Sequence, residues 1–133
     1  MDAKYERIIS SSLQAYSFYL KTVTSADIEK TADYHKKLIS SNKFWKLAKN
    51  EVSAIKIGFF NALTALLSHT NNIVCEEKRK ILTTAINGLD ESEPTLLIAV
   101  WEALLTAINR IEVKIIFHLF LPRSKKEFLR VPF

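Results

Sequence analysis

Phe59-Phe60-Asn61-Ala62-Leu63-Thr64 and Val100-Trp101-Glu102-Ala103-Leu104-Leu105 decide the fold, because they superimpose at an offset of 41 residues and the same offset lays Ser53 on Pro94. Self-similarity at that period is what stacked helix pairs produce: one amphipathic pair cannot bury its apolar face alone and does so only against its neighbours. A looser third echo lays Leu13-Gln14-Ala15-Tyr16 on Phe60-Asn61-Ala62-Leu63 at an offset of 47.

Working outward from these passages, apolar residues recur at helical spacing along most of the chain. The first helix runs from Asp2 to about Val23, with Tyr5, Ile8, Ile9, Leu13, Tyr16, Tyr19, Leu20 and Val23 on one face and Ser12 as its polar member. Thr24-Ser25 stops it and caps a second helix carrying Ile28, Ala32, His35 and Ile39. Asn42 caps a short turn, Lys43 to Leu47, in which Phe44 and Trp45 anchor an otherwise basic connector.

The third main helix spans about Glu51 to Ser68 and buries Val52, Ile55, Phe59, Ala62, Leu63 and Leu66; Gly58 inside it marks the close approach of a neighbouring helix. The fourth carries Val74, Cys75, Ile81, Leu82, Ala85 and Ile86, and Asn87-Gly88 supplies a left-handed stop. Pro94, preceded by acidic residues, opens a fifth helix that buries Leu97, Val100, Trp101, Leu104, Ile108 and Ile111. Helices one, three and five are equivalent members of successive repeats, with helices two and four as their partners. The expected fold is therefore an all-α, HEAT/armadillo-like helical-repeat solenoid of about five main helices over residues 1–111, followed by a divergent basic and apolar tail over 112–133.

Composition narrows the chemistry. With 133 residues, 48% hydrophobic and 25% charged, the chain fits a small globular domain, and 2 Gly cannot build phosphate-cradling loops. The net charge of +5 is concentrated near the C-terminus, so a general nucleic-acid surface over the folded part, for DNA in particular, is not indicated. The scattered His35, His69 and His118 and the lone Cys75 offer no metal-ligand spacing, and no carboxylate or nucleophile constellation points to catalysis. No cofactor site is expected. The single cysteine excludes an internal disulfide and fits a reducing compartment, the N-terminus lacks a secretory pattern, and the apolar run Ile115 to Leu121 is too short to cross a bilayer. A cytosolic protein without a membrane span is expected.

One cationic cluster stands out. Lys36, Lys37, Lys43, Lys46 and Lys49 surround Phe44-Trp45, a pattern that fits a patch facing ribosomal RNA or an acidic partner and fits better a solvated connector with two core anchors, since phosphate readers gather more cations than this. Lys43, Lys46 and Lys49 are the candidate binding residues; Phe44, Trp45, Pro94 and Trp101 are the candidate structural anchors.

The order and spacing of Asn42-Lys43-Phe44-Trp45-Lys46, the acidic turn Asp90-Glu91-Ser92-Glu93-Pro94 and the helix Val100-Trp101-Glu102-Ala103-Leu104 resemble the N-terminal region of the listerin family of RING-type ubiquitin ligases, over roughly Lys4 to Glu112. The resemblance implies a long HEAT-like solenoid docking on the large ribosomal subunit beside a nascent-chain-tethering partner of ribosome-associated quality control, with stalled nascent chains ubiquitinated by a distant RING. No RING ligands occur in this chain, so the resemblance implies a docking or scaffold segment that is inactive by itself. The alternative is a stand-alone helical adaptor or truncated gene product that binds another protein through an exposed apolar edge.

Overall fold

The computed structural model describes residues 3–70 and 77–110. Within them are seven α-helices and one 3-10 turn, with no strand. In chain order these are α1 (Ala3–Thr22), α2 (Ser25–Lys30), α3 (Ala32–Ser40), α4 (Asn42–Lys46), the 3-10 turn Leu47–Lys49, α5 (Ser53–His69), α6 (Lys78–Gly88) and α7 (Pro94–Arg110). The expected all-α, repeat-like fold is present, and the repeat extends to helix ends: α5 and α7 begin and end at the same 41-residue offset that relates their sequences. Among the described residues, no helix is long and apolar enough to cross a membrane.

The helix count is seven and not five because the expected turn at Lys43 to Leu47 forms α4 and because the second predicted helix is broken at Thr31. Its hydroxyl bonds back to the Asp27 and Ile28 carbonyls at 3.1 Å, competing with the helical ladder, and divides the segment into α2 and α3. Thr24 caps α2 by accepting from the Asp27 N–H, as its position predicts. Ser41, rather than Asn42, occupies the capping position of α4.

Long-range packing places α5 between α1 and α7, so the three sequence-equivalent helices lie side by side. This central helix is buried over most of its circumference, from Ile55 and Gly58 through Phe59, Phe60, Ala62 and Leu63 to Leu67. Gly58 marks close approach, as expected: a Cβ there would sit 3.0 Å from Leu13 Cβ. Both ends of the α5–α7 pair are tied, by the Ser53 hydroxyl to the Glu93 carboxylate and by the Arg110 guanidinium to the Ser68 carbonyl at 3.1 Å.

Three expectations are corrected. Gly88 is not a left-handed stop, since no described residue has positive φ. It is the last residue of α6, and a Cβ there would lie 2.9 Å from Val100 and 3.0 Å from Phe60, so the glycine creates space where three helices meet. Trp101 is not core: it is 48% exposed, with Ile108 also outside. The buried arc of α7 is instead Leu96, Ala99, Val100, Ala103, Leu104 and Ala107, turned so that small alanines face inward and permit a tight approach. Likewise Tyr5 and Ile8 are exposed, and α1 buries Leu13, Ser17 and Leu20, the Ser17 hydroxyl being satisfied by the Leu13 carbonyl at 3.0 Å. The roles expected for Val74, Cys75, Ile111 and the tail 112–133 lie outside the described residues.

Candidate functional site

The connector between the first and second repeats is held by aromatic packing. Phe44 and Trp45 are buried, their rings 4.8 and 5.7 Å from the Phe59 ring, which in turn stands edge-on to Phe60 at 5.1 Å. Such offset and edge-to-face contacts reinforce the burial of large rings. The Trp45 indole N–H also donates to the Ile39 carbonyl at 2.6 Å, tying α4 to the end of α3. At the far side of the connector, the Asn50 carboxamide accepts the Val52 N–H at 2.9 Å, an Asx-type turn that leads the chain into α5.

These anchors project Lys46 and Lys49 over a groove of about 620 Å³ between the connector, α5 and α6. From α6 the groove receives Lys80, Thr84 and Asn87, which recur at helical spacing and so share one face, together with Thr83. Trp45 lines its floor, and the Lys80 ammonium stands 5.2 Å from the centre of the indole, a cation–π distance that orients this cation over the groove. Lys56 also lines it but is bound to the Glu91 carboxylate at 2.7 Å. The positive charge available to a ligand therefore comes from Lys46, Lys49 and Lys80, with hydroxyl and carboxamide groups between them.

The structure divides the predicted lysine trio. Lys46 and Lys49 share the groove, whereas Lys43 borders a separate apolar depression of about 420 Å³ lined by Tyr5, Ile8, Tyr34 and Leu38. Exposed Lys36 and Lys37 line neither. Phe44 and Trp45 lie in the core beneath the cations, so the inward-packing aromatics and the basic surface coexist. Pro94 is the first residue of α7, and Trp101 stands on the outer side of that helix. Lys80, Thr83, Thr84 and Asn87 were not legible as site residues. The Lys78-Arg79-Lys80 run was a visible cationic signal, but nothing in the sequence places α6 beside Trp45.

A second polar cluster ties α1 to α3. His35, 1% exposed, has its Nδ1 at 2.6 Å from the Tyr16 hydroxyl and its Nε2 at 2.8 Å from the Thr31 hydroxyl. Because Thr31 donates to a carbonyl of the preceding turn, its oxygen accepts from Nε2–H, leaving Nδ1 to accept from Tyr16. Desolvation by burial holds the imidazole below its ordinary pKa, and burial, followed by the nearby Tyr34 and Tyr19, raises that of Tyr16. Two satisfied ring nitrogens packed among tyrosines make this a structural tie.

A family model described as "E3 ubiquitin-protein ligase listerin, N-terminal domain" matches residues 1–128. The E3 ubiquitin-protein ligase listerin of Mus musculus is 31% identical over 111 residues, covering 84% of this chain and 6% of its own length. Its namesakes from Gallus gallus and Xenopus tropicalis are 29% and 28% identical over the same length of 111 residues, again 84% of this chain and 6% of their own. The chain thus spans about 6% of the length of the relatives it matches. No solved structure matches.

Proposed function

The chain belongs to the listerin family through its N-terminal domain, and from that premise we propose that it is a docking and scaffold segment of a cytosolic, HEAT-like ubiquitin-protein ligase of ribosome-associated quality control. In this reading the complete protein ubiquitinates stalled nascent chains on the large ribosomal subunit, next to the partner that tethers them. The present segment contributes binding energy and position rather than chemistry.

The groove between the connector and α6 is the supporting observation. Lys46 and Lys49 come from the connector, which the Phe44-Trp45-Phe59 cluster ties to α5, and Lys80 comes from α6 with its ammonium over the Trp45 ring. Clustered ammonium groups on a fixed frame suit a phosphodiester backbone, whose condensed counterions are released on binding. Thr83, Thr84 and Asn87 supply neutral donors at the same wall. This revises the candidate trio: Lys80 replaces Lys43, which faces the apolar depression.

The test is co-sedimentation of the chain with purified large ribosomal subunits at several salt concentrations. The triple variant Lys46→Glu, Lys49→Glu, Lys80→Glu loses binding and flattens the salt dependence, whereas Lys43→Glu binds as the parent does. Binding of the triple variant equal to that of the parent would remove the groove from the docking surface.

A further inference from the structure

The acidic turn Asp90-Glu91-Ser92-Glu93-Pro94 does more than open α7, since two of its carboxylates reach across to α5. Glu93 accepts the Ser53 hydroxyl, and Glu91 holds the Lys56 ammonium at 2.7 Å. The internal repeat does not demand the second contact: 41 residues on, the position of Lys56 is taken by Leu97. Nor does the turn need it to stay in place. The Ser53–Glu93 bond ties the same two segments about one helical turn earlier on α5, and the Glu91 N–H donates to the Gly88 carbonyl at 3.1 Å, which fixes its backbone to the end of α6. With side chains 17% and 32% exposed, the ion pair itself contributes little net stability.

Both partners line the basic groove, and Glu91 is the one acid among the described residues that do so. An ammonium carries three donors, so Lys56 has hydrogen-bonding capacity left for a second anion. That anion would lie next to the Glu91 carboxylate, at a separation well inside the Debye length of about 10 Å at 0.1 M salt, where screening does not relieve the repulsion.

Given the phosphodiester reading of the groove, on which this rests, we infer that Glu91 is its autoinhibitory residue: the carboxylate occupies Lys56 as an internal substitute for phosphate and confines a bound phosphodiester chain to Lys46, Lys49 and Lys80. Docking is thereby held one cation short of what the groove contains. Neutralising Glu91 releases the fourth.

Binding of the full chain to a single-stranded oligouridylate, followed by fluorescence anisotropy across a salt series, tests this. The slope of log affinity against log salt changes by about 0.7 for each phosphate neutralised on a single strand. Glu91→Gln therefore tightens binding several-fold at low salt and steepens the slope by about 0.7, and adding Lys56→Met abolishes both changes. Glu51→Gln makes the same change of charge at an exposed residue outside the groove and leaves the slope at the parent value. Equal slopes for the parent and Glu91→Gln overturn the inference while leaving the phosphodiester reading intact. Equal steepening by Glu51→Gln overturns it as well, by assigning the gain to net charge. If neither parent nor variant binds even at low salt, both readings fall together. Thermal unfolding is the companion measurement: Glu91→Gln melts close to the parent, and a large loss of stability would assign the pair to the fold instead.

Discussion

The Tyr16 hydroxyl lies 2.6 Å from His35 Nδ1, so the first helix of the stack is pinned to its partner layer by a hydrogen bond made inside the protein. Burial favours the neutral imidazole, and the arrangement uses both of its nitrogens in the Nε2–H form. A proton added to Nδ1 would oppose the Tyr16 donor and charge a desolvated site.

Stability should therefore depend on pH through His35. Its pKa is lower in the folded than in the unfolded chain, where it lies near 6.5, so the unfolded state binds more protons between the two values. The contribution is fully present above about pH 6.5 and is lost as pH falls through the folded value, with a limiting slope of about 1.4 kcal/mol per pH unit for one proton. Urea titrations of the parent and of His35→Gln at several pH values check this. The parent's advantage shrinks toward pH 5; an advantage independent of pH would refute the coupling.

Gly88→Ala should destabilise the chain despite improving helix propensity. The gain in propensity is about 1 kcal/mol, whereas overpacking a closed core costs about 1–3 kcal/mol. Overpacking prevails because the contacts at 2.9 and 3.0 Å are to both methyls of Val100, a buried β-branched side chain with little rotamer freedom, as well as to the tip of the buried Phe60 ring. In a Val100→Ala background the same change should cost less or stabilise. A double-mutant cycle by denaturant unfolding measures the coupling, and strictly additive effects would contradict the close three-helix junction.

Trp45 should be the most sensitive position of the connector. Trp45→Ala removes a buried ring from the Phe44-Phe59 cluster and should cost about 3–5 kcal/mol. Trp45→Phe keeps an aromatic ring but leaves the Ile39 carbonyl without the indole donor, with an expected cost of about 1–3 kcal/mol. Thermal and urea unfolding give the order parent, Phe, Ala; a Phe variant as stable as the parent would show that the indole hydrogen bond is immaterial.

What was legible in the sequence was periodicity, and what was hidden was rotation. The echo between Phe59-Thr64 and Val100-Leu105 predicts both the helical class and the matched ends of α5 and α7, because a repeated interface requires repeated residues. Gly58 could likewise be read as a close approach. The buried side of α7 could not be read by seeking its largest apolar residues. Ala99, Ala103 and Ala107 decide that packing through their small size, and they leave Trp101 outside. Gly88 was misread for a related reason, since removing a Cβ can serve a turn or a neighbour and only the fold distinguishes the two. The lysine site was half legible: Lys46 and Lys49 belong to one local connector, while Lys80 joins them only after α6 has packed.

Because α5 is sheltered by a neighbour on either flank, its backbone amides have no private route to water. Local opening at the rims can expose α1 or α7 while α5 remains closed, so its hydrogen exchange is governed by loss of the whole structure. On this packing the described helices should open from the margins inward, with the middle rod the last unit to let go.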